Sequence, residues 1–145
     1  MEMNITVREC DCPAQIYALV ASFLAEIGEA PLDEGKKARL ANAMKAGNIV
    51  FFIASTDTQA IGMCSVAPCW STFACGETGV FDDFYVSPAF RGKGIARKLA
   101  QAAQGWCRAH GCASVTVSCA PCDVGMYTAL GFDVSLGTTL AAVMA

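Results

Sequence analysis

A short glycine-rich run carries cations in an arrangement that suits an anion. It reads Arg91-Gly92-Lys93-Gly94, and a helical apolar pattern begins directly after it at Ile95. The first turn of a helix has backbone N–H groups without intrahelical partners and carries partial positive charge. Because glycine lets a phosphate approach the backbone closely, the run predicts a polyphosphate site at a helix start.

Three side chains elsewhere could move a proton. Asp82 and Asp83 are adjacent in a strand-like run, and Tyr127 lies in a short helix-like segment. A carboxylate can accept a proton and a phenol can donate one. Because side chains alternate along a strand, only one of the two carboxylates is expected to face a given cleft unless a bulge intervenes. The alternatives are charges on a solvated strand edge and an aromatic ring that only packs.

The N-terminal half of the chain predicts two helices and a strand hairpin around one core. A first helix begins near Asp11 with Pro13 in its first turn, because proline suits that position. Its apolar stripe runs from Ile16 to Ile27, and Gly28 ends it. The other elements predicted here are a strand at Met3–Arg8, a helix at Asp33–Ala46 with Gly47 after it, and strands at Ile49–Ser55 and Ala60–Ala67.

The C-terminal half predicts a crossover unit, in which a helix joins two parallel strands. Strand Val80–Val86 leads through helix Ile95–Arg108 to strand Ser114–Ser118, and a site is expected at the carboxyl ends of the two strands. The remaining predictions are an irregular loop at Pro68–Gly79, a short helix from Asp123 through Leu130, and a closing hairpin with strands at Phe132–Val134 and Thr138–Met144.

Length and charge exclude several classes of protein. The 145 residues suit one domain spanning 1–145, and the net charge of −3 with a pI near 5.0 gives no electrostatic case for nucleic acid or an anionic membrane. The N-terminal residues lack the apolar region of a signal peptide, and no apolar run of about 18 residues could span a bilayer. We therefore expect a cytoplasmic protein.

The nine cysteines are expected to be free thiols, because their number is odd and the chain can form a core without disulfides. Cys119 and Cys122 form a C-x-x-C pair after a predicted strand, which is also typical of thiol redox proteins. Such proteins carry the pair after an early strand, whereas here little of the chain follows it. No metal site is expected, since Cys10 and Cys12 lack zinc-site spacing and His110 is the only histidine.

Two segments together resemble a known enzyme family. Arg91–Ala96 fits the pattern Q/R-x-x-G-x-G/A and follows a strand that ends in the letters YVSP, and Met126–Phe132 (MYTALGF) is similar to the pattern F/L-Y-x-x-L-G-F. These features resemble the GCN5-related N-acetyltransferase (GNAT) family. The resemblance implies an α+β fold, with a central twisted mixed sheet of about six or seven strands flanked by about four helices. The acidic pair at Asp82 and Asp83 looks most like the polyamine and small-amine acetyltransferases.

The resemblance implies transfer of an acetyl group from acetyl-CoA to a primary amine, a small amine or polyamine, by direct attack in a ternary complex without a metal. It gives Asp82 the role of proton acceptor, Asp83 that of attracting a cationic substrate, and Tyr127 that of general acid to the coenzyme sulfur. It also allows a homodimer. The implied coenzyme-binding residues are Phe84, Tyr85, Val86, Arg91, Gly92, Lys93, Gly94, Ile95, Ala96 and Arg97.

One position departs from the family pattern. Many members carry an asparagine seven residues before the tyrosine, in contact with the pantetheine arm, and this chain has Ala120 there. The alternative function is a module that binds acyl-CoA as a sensor without turnover. A thiol redox protein built on Cys119 and Cys122 is a further alternative. The presence of Asp82 and Tyr127 favours an enzyme over a sensor.

Overall fold

An antiparallel meander forms most of the sheet in the computed structural model, which describes residues 4–144. A fifth strand lies beside the fourth and is parallel to it, so the sheet is mixed, with the order β1-β2-β3-β4-β5. The strands are β1 (Thr6–Cys10), β2 (Val50–Ser55), β3 (Ala60–Ser71), β4 (Gly76–Val86) and β5 (Val115–Val117).

Helices cover both faces of this sheet. On one face, Ile16 and Leu19 of the first helix pack with Met63 and Tyr85. On the other face, residues of the third helix such as Leu99 join a second core cluster. The arrangement confirms the predicted α+β class. The helices are α1 (Pro13–Glu26), α2 (Glu34–Ala46), α3 (Ile95–Ala109) and α4 (Val124–Ala129).

Local signals place the ends of α2 where the sequence predicted them. The Asp33 side chain accepts a hydrogen bond from the Lys36 N–H at 2.8 Å and so caps the first turn. Gly47 follows the last turn with φ 77°, a left-handed conformation that glycine adopts without strain. At α1 the prediction was close, since Cys12 rather than Asp11 is the residue before the first turn.

The prediction of an irregular loop at Pro68–Gly79 is wrong. Residues 68–71 pair with residues 76–79 and extend the β3–β4 hairpin, leaving a tight turn at 72–75. Backbone pairing between the two strands determines the structure of this segment. Its side chains do not alternate between apolar and polar, so the sequence did not indicate a strand. Gly79 has a packing reason to lack a side chain, because a Cβ there would lie 2.8 Å from Cys107 Sγ on α3.

The prediction of a closing hairpin is also wrong, and within residues 4–144 the sheet has five strands rather than six or seven. Among the described residues, 132–144 contain no strand. Phe132 packs on Phe81 with ring centroids 5.2 Å apart, but beyond it Val134 and Leu140 are 74% and 88% exposed. The apolar pattern of the segment resembles a strand, yet β5 offers an edge of only three residues, Val115–Val117, beside it.

The first strand is Thr6–Cys10, two residues later at its C-terminal end than the predicted Met3–Arg8, and Met3 lies outside the described residues. Within residues 4–144, no helix has the length and apolar character needed to cross a membrane.

Candidate active site

The site is built where β4 and β5 separate. Their parallel pairing runs from Gly79 opposite Val115 to Phe81 opposite Val117, and β5 ends there. β4 continues to Val86, paired with β3 alone. The backbone groups of residues 82–86 that point away from β3 therefore lie along a gap in the sheet. An extended ligand chain could hydrogen-bond to them as a strand would.

A β-bulge interrupts β4 at the acidic pair. Ser65 lies opposite Asp82 and Met63 lies opposite Tyr85, so two residues of β4 stand against one of β3. Asp83 takes φ 53°, and its N–H donates a hydrogen bond to Asp82 Oδ1 at 2.8 Å. Aspartate tolerates this left-handed conformation better than most residues. The bulge is therefore present that would free Asp82 and Asp83 from pointing to strictly opposite faces of the sheet.

Asp83 is the more enclosed carboxylate of the pair. Its Oδ2 accepts a hydrogen bond from Ser65 Oγ at 2.7 Å. Burial raises the pKa of the Asp83 carboxyl, the Ser65 hydrogen bond opposes that rise, and the charge of Asp82 adds to it. Asp82 is exposed to solvent. The pair thus offers one solvated and one partly desolvated carboxylate at the same bend of β4.

Tyr127 lies on α4, the helix that follows β5. Its ring packs against Phe84 and Phe132, with centroids 6.0 Å away in each case. Burial raises the pKa of the Tyr127 phenol, and the charges of Asp123, Cys119 and Asp82 raise it further. The phenol is therefore protonated at neutral pH.

The glycine-rich loop connects the end of β4 to α3. Gly92 and Gly94 have φ values of 75° and 80°, and a Cβ at either would meet no atom within 4 Å. The first hydrogen bond of α3 runs from the Lys98 N–H to the Gly94 carbonyl at 3.2 Å. The N–H groups of residues 95–97 therefore precede the intrahelical bonds and face an open approach. This geometry fits a diphosphate.

The Arg91 side chain points away from that turn. Its Nη2 contacts both carboxylate oxygens of Glu26 on α1, at 2.7 and 2.6 Å, and its Nε donates to the Val86 carbonyl at 2.8 Å. The guanidinium also lies 5.8 Å from the centroid of the Tyr85 ring. Sequence reasoning missed Glu26, because a pair 65 residues apart leaves no local signal.

Sequence reasoning also missed a cleft of about 300 Å³ between α1, α2 and the sheet, which we call the α1–α2 cleft. Asp83 lies in its lining, so the cleft reaches the bulge of β4. Lys36 and Arg39, two exposed residues of α2, lie in it as well. Its lining residues are Val20, Phe23, Leu24, Leu32, Lys36, Arg39, Leu40, Ile49, Phe51 and Asp83.

Residues 15–132, most of the chain, match the family description "Acetyltransferase (GNAT) family". The chain is a member of the GNAT family. GNAT proteins use acetyl-CoA as co-substrate, so this chain is an acyltransferase, and the gap beside β4 and the turn before α3 fit the pantetheine and diphosphate of that molecule. Within residues 4–144, no cluster of three or more His, Cys, Asp or Glu side chains could hold a metal ion.

Solved structures show the same fold at low sequence identity. A Trypanosoma brucei acetyltransferase has a TM-score of 0.79 at 19% identity, covering 97% of this chain and 100% of its own. An aminoglycoside acetyltransferase from an uncultured soil metagenomic sample has 0.86 at 14%, covering 97% and 96%. A Clostridium acetobutylicum protein, described as a predicted acetyltransferase with acetyl-CoA, has 0.77 at 18%, covering 96% of each chain. Among curated proteins, no sequence matches this one.

Proposed function

We propose that this GNAT protein acetylates a small primary amine by direct attack on acetyl-CoA in a ternary complex. The observation that carries the proposal is the bulge at Asp82 and Asp83, because Asp82 belongs to the part of β4 that borders the gap and Asp83 lines the α1–α2 cleft. The coenzyme would enter along the gap, and the amine would enter from the cleft. The two substrates would then meet at the bend of β4.

The coenzyme would be held mainly by backbone groups. The N–H groups of Ile95, Ala96 and Arg97 would bind the diphosphate together with the turn at Gly92–Gly94, and Lys93 would add positive charge. The backbone of Phe84–Val86 would bind the pantetheine arm and the acetyl carbonyl, where negative charge develops during attack. Ala120 offers no side-chain amide, so this strand backbone is the main support for the arm.

Three side chains would handle the protons. Asp82, solvated and beside the gap, would accept a proton from the amine directly or through water. Asp83 would attract the cationic amine into the cleft, and its hydrogen bond from Ser65 would hold it in place. Tyr127 would protonate the departing coenzyme thiolate, and the contact of its ring with Phe84, whose backbone borders the gap, supports that role.

Three broader features stay predictions from the sequence. We propose that residues 1–145 act as one catalytic domain. The cytoplasmic location and the homodimer are likewise carried over as expectations.

The test is release of free coenzyme-A thiol by purified protein with acetyl-CoA and a panel of small amines. We expect sustained, amine-dependent release, with acetylated amine formed in equal amount. Calorimetry on the same preparation measures acetyl-CoA affinity. Tight binding of acetyl-CoA without release for any amine would contradict the proposal and favour a non-catalytic acyl-CoA sensor.

A further inference from the structure

The α1–α2 cleft carries charge and apolar surface in an arrangement that selects one kind of amine. We propose that the acceptor is a free apolar amino acid, such as leucine or phenylalanine, which the protein acetylates on its α-amino group. This inference rests on the proposed function and names its substrate class.

The walls of the cleft are apolar. Seven of the ten lining residues are aliphatic or aromatic, among them Phe23 from α1, Leu40 from α2 and Phe51 from β2. Its volume of about 300 Å³ matches the low end of small-molecule pockets and would hold one amino acid side chain with its backbone. A sugar or a hydroxyl-rich aminocyclitol would leave polar groups without partners against these walls.

The charged groups of the lining occupy different depths. Lys36 and Arg39 are exposed, whereas Asp83 is partly buried and bonded to Ser65. Within residues 4–144, neither cation takes part in an ion pair, although Lys37 on the same helix pairs with Glu34 at 3.4 Å. Two unpaired cations on the solvent side of an apolar cleft attract an anionic group of a ligand.

An apolar amino acid satisfies all three parts of the cleft. Its ammonium would lie toward Asp83, its carboxylate toward Lys36 and Arg39, and its side chain against the apolar walls. A polyamine carries positive charge at both ends, so one end would lie against Lys36 and Arg39 and be repelled. The lining therefore favours a zwitterion over the polyamine of the sequence-based expectation.

The reaction balances without any other reactant. The ammonium first loses one proton through Asp82 to solvent, and the neutral amine then forms a C–N bond with the acetyl carbon. The C–S bond breaks, the second amine proton is released, and the coenzyme sulfur takes up a proton. The products are an N-acetyl amino acid and coenzyme A.

The experiment compares kcat/KM for leucine, isopentylamine and spermidine. Isopentylamine is leucine without its carboxylate, and kcat/KM is compared per neutral amine because the carboxylate also lowers the pKa of the amino group. We expect leucine to exceed isopentylamine by about tenfold or more, the effect of two partly exposed ion pairs, and to exceed spermidine by a larger factor.

Variants then assign the preference to the two cations. Lys36→Ala combined with Arg39→Ala should lower kcat/KM for leucine about tenfold through KM and leave isopentylamine within twofold. Lys45→Ala is the matched control, an exposed lysine in the last turn of α2 outside the lining, and should change neither substrate.

The outcomes separate this inference from the proposed function. Turnover of isopentylamine or spermidine equal to or faster than leucine overturns the amino acid assignment and leaves acetyl transfer to amines intact. An equal loss of kcat/KM for leucine and isopentylamine in the double variant also overturns it, because Lys36 and Arg39 would then not bind the carboxylate. Absence of thiol release with every amine overturns both.

Discussion

Arg91 binds the carboxylate of Glu26 with one guanidinium nitrogen, at 2.7 and 2.6 Å from the two oxygens. The same side chain donates through Nε to the Val86 carbonyl, at the end of β4. It therefore joins the last turn of α1, the end of β4 and the loop before α3. Because α1 lines the α1–α2 cleft and the loop leads into the turn proposed to bind the diphosphate, Arg91 and Glu26 connect the two halves of the proposed site. We infer that Glu26 positions the coenzyme loop.

Glu26→Gln should weaken acetyl-CoA binding about threefold to fivefold with kcat near wild type, because the pair is partly exposed and such pairs contribute little individually. Calorimetry gives the affinity, and the difference from wild type should shrink at high salt. Glu29→Gln, an exposed neighbour just beyond α1, is the control and should have no effect. Unchanged affinity in a folded Glu26→Gln protein would remove the positioning role.

Gly94→Val should weaken acetyl-CoA binding at least tenfold, about 1.4 kcal/mol, because a branched side chain would occupy the approach to the turn. The matched control is Gly111→Val at the other end of α3. Both glycines have positive φ, 80° and 74°, and both have open space around a Cβ, so valine strains the backbone equally at the two sites. We expect both variants to lose melting temperature and only Gly94→Val to lose affinity. Equal affinities would show that the turn does not bind diphosphate.

Asp83→Asn should raise the melting temperature at pH 7 while lowering kcat/KM about tenfold or more. Burial raises the pKa of Asp83 above its ordinary 3.8, so its favourable contribution to folding is complete below 3.8 and falls as pH rises through the raised value. Asparagine is neutral, can still accept the Ser65 hydrogen bond, and tolerates φ 53°. The melting temperatures of Asp83→Asn and the wild type should therefore differ above the raised pKa of Asp83 and converge as the pH falls to 3.8.

Asp82→Asn provides the contrast, because Asp82 is exposed. Its melting temperature should stay near wild type, since most exposed substitutions change stability by less than about 0.5 kcal/mol. Its kcat/KM should fall at neutral pH and recover partly at higher pH, where more amine is already deprotonated. If only Asp83→Asn alters the pH profile of activity, then Asp83 rather than Asp82 is the proton acceptor.

The sequence predicted those parts of the site that depend on local signals. Asp33 and Gly47 mark the ends of α2, and Gly92 and Gly94 take the positive φ that a tight turn before a helix needs. These features are set within a few residues of chain, so composition and spacing reveal them.

Features set by distant contacts were not predictable. The bulge at Asp83 depends on the register of β4 against β3, which periodicity alone does not fix. Glu26 meets Arg91 only after α1 has packed on the sheet. In the segment after Phe132, by contrast, a local apolar pattern predicted strands that do not form. The neighbouring strand β5 has only three residues and provides no long edge for them to pair with.

Tyr127→Phe separates proton donation from packing, since phenylalanine keeps the ring and loses only the hydroxyl. The rings of Phe84 and Phe132 would retain their contacts at 6.0 Å, so melting temperature and acetyl-CoA affinity should stay near wild type. A general acid contributes about 10²- to 10⁴-fold, and we expect a loss in kcat at the low end because a thiol has a pKa of only about 8.5 and its thiolate leaves readily. Because burial raises the pKa of Tyr127, the wild-type kcat should not decline through loss of this proton near neutral pH. Turnover within twofold of wild type, with chemistry shown to be rate-limiting, would exclude Tyr127 as the acid and direct attention to water or to the exposed thiol of Cys122.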